Sequence, residues 1–214
     1  MMHKRVSKEV DALPKTREHI PDFLRPFWAA GLKVRPEDDL AVAAKFVSSL
    51  GIRQDDVIVS VGGGGGASIQ PESLVALLGA KLIIASKAYS TTITTDDVLD
   101  GLQFKHPVNW ARGDFLNFPR PDGLKGFFIF NVLDQVGIAA GDKIVSKALD
   151  ELRNPGDFLV TSTYLGDPHA RGEGEYCRDS KRILDIAASK GMRLRREVRK
   201  YNYTDDAEVF TLLK

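Results

Sequence analysis

The 214-residue sequence contains a single cysteine, Cys177. One thiol excludes a disulfide within the chain and disfavours a cysteine-based zinc site, which takes several cysteines. We therefore expect no bound metal and a cytoplasmic location, where thiols stay reduced. We interpret Cys177 itself as a small packing residue.

The sequence also lacks long apolar runs and an excess of charge of either sign. No stretch approaches the roughly 20 apolar residues that cross a bilayer. Residues 1–8 are polar and basic, so we expect no secretory signal. The net charge of +1 provides no broad field for capturing nucleic acid or membrane. We therefore expect a small-molecule substrate and neither of those partners, and the sequence is compatible with a homodimer.

Enough apolar residues are present for one buried core. Hydrophobic residues make up 43% of the chain, a normal share for a globular protein. A chain of this length fits one α/β domain with a small appendage. The first part mixes charges with an apolar patch interrupted by Pro21 and Pro26, which predicts short helices. We divide the chain into an N-terminal helical cap or lid segment, residues 1–34, and one domain, residues 35–214.

Strand-like and helix-like patterns alternate through that domain. The runs rich in β-forming residues are 57–61, 81–85, 108–111, 126–130 and 158–162. Helical patterns cover residues 35–50, 72–78, 95–103, 141–152 and 179–189. Continuous apolar strands separated by helices predict a parallel sheet covered on both faces.

The last two predicted strands break this alternation. Residues 193–201 and 208–213 are separated only by residues 202–207, too few for a crossover helix. We therefore expect them to pair antiparallel, as a hairpin at the carboxyl end of the sheet. The predicted fold class is α/β, with a doubly wound, mostly parallel sheet and a C-terminal antiparallel hairpin.

Five consecutive glycines, Gly62 to Gly66, follow the first predicted strand. In a doubly wound sheet, ligands bind beyond the carboxyl ends of the strands, where the strand order reverses. Glycine permits positive φ and lets a ligand approach the backbone closely. A loop of five glycines is costly to order, which argues against a mere connection. We interpret it as a nucleotide-binding turn.

The identity of the nucleotide is less constrained. Gly62, Gly64 and Ala67 satisfy G-x-G-x-x-A, a dinucleotide fingerprint, although five glycines in a row match many patterns. The second predicted strand ends in Ser86-Lys87 instead of the acid that grips ribose hydroxyls. That pair would suit the 2′-phosphate of NADP. An NADP-binding oxidoreductase is therefore one open alternative.

The order and spacing of these elements resemble the class I S-adenosylmethionine (SAM)-dependent methyltransferase family over residues 40–214. Residues 57–66 are similar to the family's first motif, a strand followed by acid-x-G-x-G-x-G, with Gly62, Gly64 and Gly66 on its glycines. The terminal hairpin is also typical of the family. The resemblance implies a Rossmann-like fold and an enzyme that transfers a methyl group from SAM to a small molecule.

Further matches imply roles in binding SAM as the cofactor. Gly113-Asp114-Phe115 resembles the family's Gly-Asp segment, in which Asp114 would hold the adenine amino group and Phe115 would flank the ring. Asn131 falls where the family lines the methionine end of the cofactor. Residues 149–156 resemble the family's helix-and-turn stretch R-x-L-K-P-G-G.

Two positions depart from the family's pattern. Ser60 replaces the acid of the first motif, and Ser86 replaces the acid that would grip the ribose. A serine can hydrogen-bond a hydroxyl, but a charged acceptor binds roughly twice as strongly. Either SAM binds through altered contacts that include Ser60 and Ser86, or the fold serves another ligand or a protein partner without methyl transfer.

Candidate catalytic residues follow the fifth predicted strand. The cofactor of a methyltransferase carries the activation, but an acidic acceptor can also need a general base. His169 has the intrinsic pKa best suited to a base, and Tyr164 lies in the same polar segment. We name His169 and Tyr164 as the catalytic candidates, although a solvated loop histidine is the plainer interpretation of His169. His106, before Pro107, is assigned no role.

Overall fold

The structure is a computed structural model that describes residues 42, 45–62, 75–76, 79–86, 106, 109–130, 132–133, 136–163, 181–201 and 206–214. Its strands are β1 (Val57–Val61), β2 (Lys81–Ser86), β3 (Asn109–Arg112), β4 (Leu124–Ile129), β5 (Phe158–Thr163), β6 (Leu194–Lys200) and β7 (Asp206–Leu212). Its helices are α1 (Ile138–Glu151), α2 (Lys181–Ser189) and a short 3-10 helix, Phe115–Asn117. Residues 45–49 and 75–76 are helical too.

All seven strands form one sheet in the order β3-β2-β1-β4-β5-β7-β6. The first five pair in parallel, and β7 is antiparallel to both of its neighbours. After β1 the chain adds β2 and β3 on one side, and then β4 and β5 on the other. The strand order therefore reverses between β1 and β4, and a ligand site is expected at the carboxyl ends of these strands.

The predicted strands are all present, and their ends differ from the prediction by no more than two residues. The predicted helix over residues 141–152 begins earlier, at Ile138, because Gly137 rather than Gly141 occupies the N-cap position. Gly141 is buried inside α1. The cap or lid predicted for residues 1–34 and the helix predicted for residues 95–103 lie outside the described residues.

The predicted antiparallel pairing of the last two strands is confirmed, and β7 lies between β5 and β6. As an inner strand, β7 buries Ala207, Val209 and Phe210. Its buried Glu208 accepts a hydrogen bond from Arg196 Nε of β6 at 3.2 Å. The edge strand β6 is rich in charged residues, a common way of preventing further strands from pairing with a sheet.

Alternate side chains of the strands enter two cores, one on each face of the sheet. In β1, Val59 packs on the face covered by α1 and α2, whereas Ile58 packs on the opposite face. Phe127 and Phe128 of β4 divide in the same way, and Phe46 from the helical segment before β1 covers the second face. The predicted cover on both faces is confirmed, and it explains why the central strands β1 and β4 are buried along nearly their whole length.

The stretch over residues 149–156 contains the last turn of α1 and the connection to β5. Asp157 N donates to Asn154 O at 2.9 Å, and Gly156 at the third position of the turn has a φ of +86°. These features, with Pro155 at the second position, define a type II turn. The buried carboxylate of Asp157 accepts from the backbone N–H of Asn154 at 2.8 Å and of Arg153 at 3.0 Å. The turn lies at the amino end of β5, at the opposite end of the sheet from Gly62.

We expect Gly126→Ala to lower the free energy of unfolding by about 1–3 kcal/mol, as overpacking of a core does. A Cβ at Gly126 would lie 2.5 Å from Cε2 of Phe158, its Cα partner on the neighbouring strand β5. Urea denaturation of the variant measures the loss. Adding Phe158→Leu should recover part of it, because the ring that blocks the new methyl group is removed. An unchanged midpoint for Gly126→Ala would contradict this packing.

Candidate functional site

Backbone hydrogen bonds hold the carboxyl ends of β1 and β3 to β2. Gly62, the residue after β1, donates its N–H to Ala85 O at 2.7 Å. Gly113, the residue after β3, donates its N–H to Ser86 O at 3.1 Å. Asp114 follows directly in the chain. The structure thus brings Gly62, Ser86 and Asp114, three of the residues predicted to bind the cofactor, to one edge of the sheet.

Gly62 is required by the chain itself. Its φ is +73°, a conformation that L side chains rarely adopt. A Cβ at this position would lie 2.2 Å from Cγ2 of Val132, which follows β4. Gly62 therefore lies in close contact with the residues after β4 and is hydrogen-bonded to β2, at the place where the strand order reverses. Val132 was missed by the sequence reasoning, since nothing local marks a contact between positions 62 and 132.

Ser60 lies within β1 and is 1% exposed. Its Cα pairs with Ile84 of β2 and Phe128 of β4, so it is flanked on both sides. A carboxylate in so buried a place would lose its hydration and need a compensating partner. A neutral serine avoids that cost. The part that Ser60 takes in binding a cofactor stays a prediction.

Ser86 and Asp114 offer the polar side chains of this edge. Ser86 ends β2 and is half-buried, and its Cα partner on β3 is Arg112. The half-buried Asp114 is the N-cap of the 3-10 helix, where its Oδ1 accepts from Leu116 N at 3.0 Å. This cap fixes the carboxylate just beyond the end of β3. The Ser86 and Asp114 contacts with a cofactor stay predictions.

Phe115 begins the 3-10 helix and is 5% exposed. Its ring meets the Phe127 ring edge-on, with the centroids 5.6 Å apart. Lys147 Nζ of α1 lies 5.4 Å from the centroid of the same ring. Phe115 is therefore packed between the sheet and α1, and its proposed contact with adenine stays a prediction. The sequence reasoning missed Lys147, although its place on α1 four residues before Glu151 was a visible signal.

Gly113 is exposed at this edge and has a φ of +140°. Among the described residues, no atom outside the adjacent chain lies within 4 Å of the place where its Cβ would be. The described residues therefore leave room for a ligand beside Gly113. The hydroxyl of Ser86 and the carboxylate of Asp114 lie at the same edge, which suits a ligand with hydroxyl and amino groups.

Several predicted site residues lie outside the described part of the chain. They are Gly64, Gly66, Asn131, Tyr164 and His169. His106 is described and lies near the opposite end of the sheet, where its Nε2 is 2.7 Å from Asp55 Oδ1. This contact joins the turn before β1 to the segment before β3. Asp55 has a φ of +70°, a conformation that aspartate adopts more readily than most residues.

The described ranges contain no group of three histidine, cysteine or acidic residues that could hold a metal ion. Within the same ranges, no helix combines the length and apolar character needed to cross a membrane. The groups that the described ranges place at this edge are the Ser86 hydroxyl, the Asp114 carboxylate and the exposed backbone at Gly113.

Solved structures of methyltransferases share this arrangement of strands. An O-methyltransferase family 2 protein from Planctomyces limnophilus, in complex with apigenin, has a TM-score of 0.57 and 16% identity over 81% of this chain and 57% of its own. N,N-8-amino-8-demethyl-D-riboflavin dimethyltransferase from Streptomyces davawensis has a TM-score of 0.56 and 17% identity over 99% of this chain and 68% of its own. Magnesium protoporphyrin IX methyltransferase from Synechocystis, with bound S-adenosylhomocysteine (SAH), has a TM-score of 0.53 and 11% identity over 99% of this chain and 94% of its own.

These likenesses concern the fold. No protein-family model matches the sequence, and no curated protein matches it. The chain spans little more than half the length of the Planctomyces protein. At this level of identity, structural similarity supports a common architecture. The prediction of a Rossmann-like methyltransferase fold is thereby confirmed.

We expect Gly62→Ala to be far more destabilising than Gly191→Ala. Both glycines have positive φ, +73° and +70°, but the space around Gly191 is open whereas a Cβ at Gly62 meets Val132. Gly191→Ala should therefore lower the free energy of unfolding by about 1–2 kcal/mol, the cost of a positive φ for an L side chain. Gly62→Ala should lose about 1–3 kcal/mol more through the steric clash. Equal losses in chemical denaturation would show that the close approach to Val132 is unimportant.

Proposed function

We propose that this chain is a SAM-dependent methyltransferase that acts on a small molecule. The observation that carries the proposal is the convergence of Gly62, Ser86 and Asp114 at the carboxyl edge of β1, β2 and β3, beside the reversal of strand order. Ligands of doubly wound sheets bind at this place. The SAH in the structurally similar protoporphyrin methyltransferase supports SAM as the cofactor.

The described residues fit the adenosine part of this cofactor. The carboxylate of Asp114 is an acceptor for the exocyclic amine of adenine, and the hydroxyl of Ser86 can bond to the ribose. Between them, the open backbone at Gly113 gives the nucleoside room to approach. We propose Ser60, Gly64, Gly66, Phe115 and Asn131 as the other cofactor-binding residues, on the strength of the family resemblance.

The cofactor supplies an activated methyl group, so the protein mainly has to orient the acceptor and exclude water. Where the acceptor must lose a proton, we propose His169 as the base, with Tyr164 beside it in the sequence segment after β5. Small-molecule acceptors are supported by two of the structural neighbours, an O-methyltransferase family 2 protein in complex with apigenin and a dimethyltransferase of a riboflavin derivative.

One observation favours a second candidate function, an NADP-dependent oxidoreductase. Ser86 ends β2 where a dinucleotide site has an acid for the ribose hydroxyls, and Lys87 follows it in the sequence. The charge of a lysine and the hydroxyl of a serine would suit the 2′-phosphate of NADP. A negative side chain at position 86 should favour the ribose hydroxyls of SAM and disfavour the 2′-phosphate of NADP. A substitution at this position can therefore separate the two candidate functions.

We expect Ser86→Asp to strengthen SAH binding by about fivefold, because hydrogen bonds to a charged acceptor exceed those to a neutral one by about 1 kcal/mol. The same carboxylate would repel a 2′-phosphate. Isothermal titration of SAH and of NADPH into the wild type and the variant measures both effects. Asn154→Asp is the matched control, since it adds one negative charge at an exposed turn at the opposite end of the sheet.

The outcomes of this titration separate the two candidate functions. Tighter SAH in Ser86→Asp, with Asn154→Asp unchanged, supports the methyltransferase. NADPH binding that the variant loses supports the oxidoreductase. Binding of neither ligand to the wild type contradicts both and leaves a fold that serves another ligand or a protein partner.

Methyl transfer itself can be followed with SAM that carries a radiolabelled methyl group. The protein is incubated with a cell extract, and the extract is then separated into small molecules, RNA and protein. We expect the label in small-molecule products other than SAM itself, and its absence from those products when the protein is omitted. Label confined to RNA or protein would contradict the proposed substrate class.

A further inference from the structure

An ion pair between α1 residues Lys147 and Glu151 is unusually buried. Only 19% of the Lys147 side chain and 10% of the Glu151 side chain are exposed. Lys147 Nζ donates to Glu151 Oε1. The other carboxylate oxygen, Oε2, is buried without a hydrogen-bond partner among the described residues. Such a pair differs from the solvated lysine–glutamate pairs that usually line a helix surface.

Local helix chemistry opposes this pair. Glu151 is the last residue of α1, where the helix dipole disfavours a negative charge. A lysine four residues before a glutamate is the weaker orientation of an i, i+4 pair. Burial of both charges adds a desolvation penalty that their attraction need not repay. Residues that break local rules together are expected at functional positions.

Both residues of the pair hold the connection from β3 to β4 against α1. Lys147 Nζ lies 5.4 Å from the centroid of the Phe115 ring, within the range of a cation–π interaction. Arg120 Nε, near the other end of that connection, donates to the backbone carbonyl of Glu151 at 2.9 Å. The connection has only one turn of 3-10 helix of its own, so these contacts with α1 secure it at two points.

We infer that Lys147 and Glu151 are positioning residues for the adenine side of the candidate site. Glu151 holds the lysine ammonium over Phe115, and Phe115 fixes the 3-10 helix whose N-cap is Asp114. The pair thereby places the Asp114 carboxylate at the carboxyl edge of the sheet. The consequence for cofactor affinity rests on the proposed function, whereas the placement of the 3-10 helix does not.

Two readouts test the inference. The first is hydrogen–deuterium exchange of the amides of Leu116, Asn117 and Phe118, which donate to Asp114 Oδ1, Asp114 O and Phe115 O. In Lys147→Met, we expect this exchange to accelerate by about tenfold, as loss of a partly desolvated cation–π contact allows. The second readout is SAH affinity, which should weaken by a similar factor, about tenfold, if Asp114 holds adenine.

Two further variants control for general destabilisation. Lys147→Arg keeps the charge and the contact with the ring, and should restore exchange and affinity to within about twofold of wild type. Lys190→Met removes another lysine that pairs with α1, through Asp150 at 2.7 Å, but away from Phe115. It should leave both readouts unchanged. Should Lys147→Met fail to fold, Glu151→Gln preserves shape while removing the charge and should accelerate the same amides.

Each outcome decides the inference. Unchanged exchange in folded Lys147→Met, or equal acceleration in Lys190→Met, overturns it. Faster exchange with unaltered SAH affinity also overturns it, because the pair would then stabilise the helix without serving the site. If the wild type binds no SAH, the proposed function fails, and the exchange result alone decides whether the pair positions the 3-10 helix.

Discussion

The close contacts of Gly62 with Ala85 and Val132 constrain the carboxyl edge of the sheet. Its N–H bonds to Ala85 O at 2.7 Å, and the place of its missing Cβ is filled by Val132. β1 is thereby joined to β2 on one side and to the residues after β4 on the other. Because the strand order reverses between β1 and β4, the site geometry depends on this one position accepting a positive φ without a side chain.

The placement of the polar groups at this edge depends on the backbone hydrogen bonds to the end of β2. With Gly62 and Gly113 both bonded to the end of β2, Ser86 and Asp114 come to lie beside an open stretch of backbone. Packing then sets the orientation of Asp114, since Phe115 is buried next to it and held from α1. We propose that the affinity of this edge for a nucleoside is shared between the half-buried polar groups and the buried contact of Phe115 with Lys147.

The sequence predicted the local structure better than the long-range contacts. Strands of continuous apolar residues and the six residues between the last two strands were enough to predict the sheet and its antiparallel end. The insertion of β7 between β5 and β6 depends on pairings far apart in the chain, which no local pattern encodes. The contact of Gly62 with Val132 is of the same kind. Lys147 and Glu151 were missed because an i, i+4 pair is usually solvated.

The central claim is that a nucleoside binds at the carboxyl edge of β1, β2 and β3. The most direct measurement is a backbone NMR titration of the isotope-labelled protein with SAH. We expect the amide signals of Gly62, Ser86 and Phe115 to shift, while those of Asp55 and Gly156 at the opposite end of the sheet stay in place. Shifts concentrated at the opposite end, or none at saturating SAH, would contradict the claim.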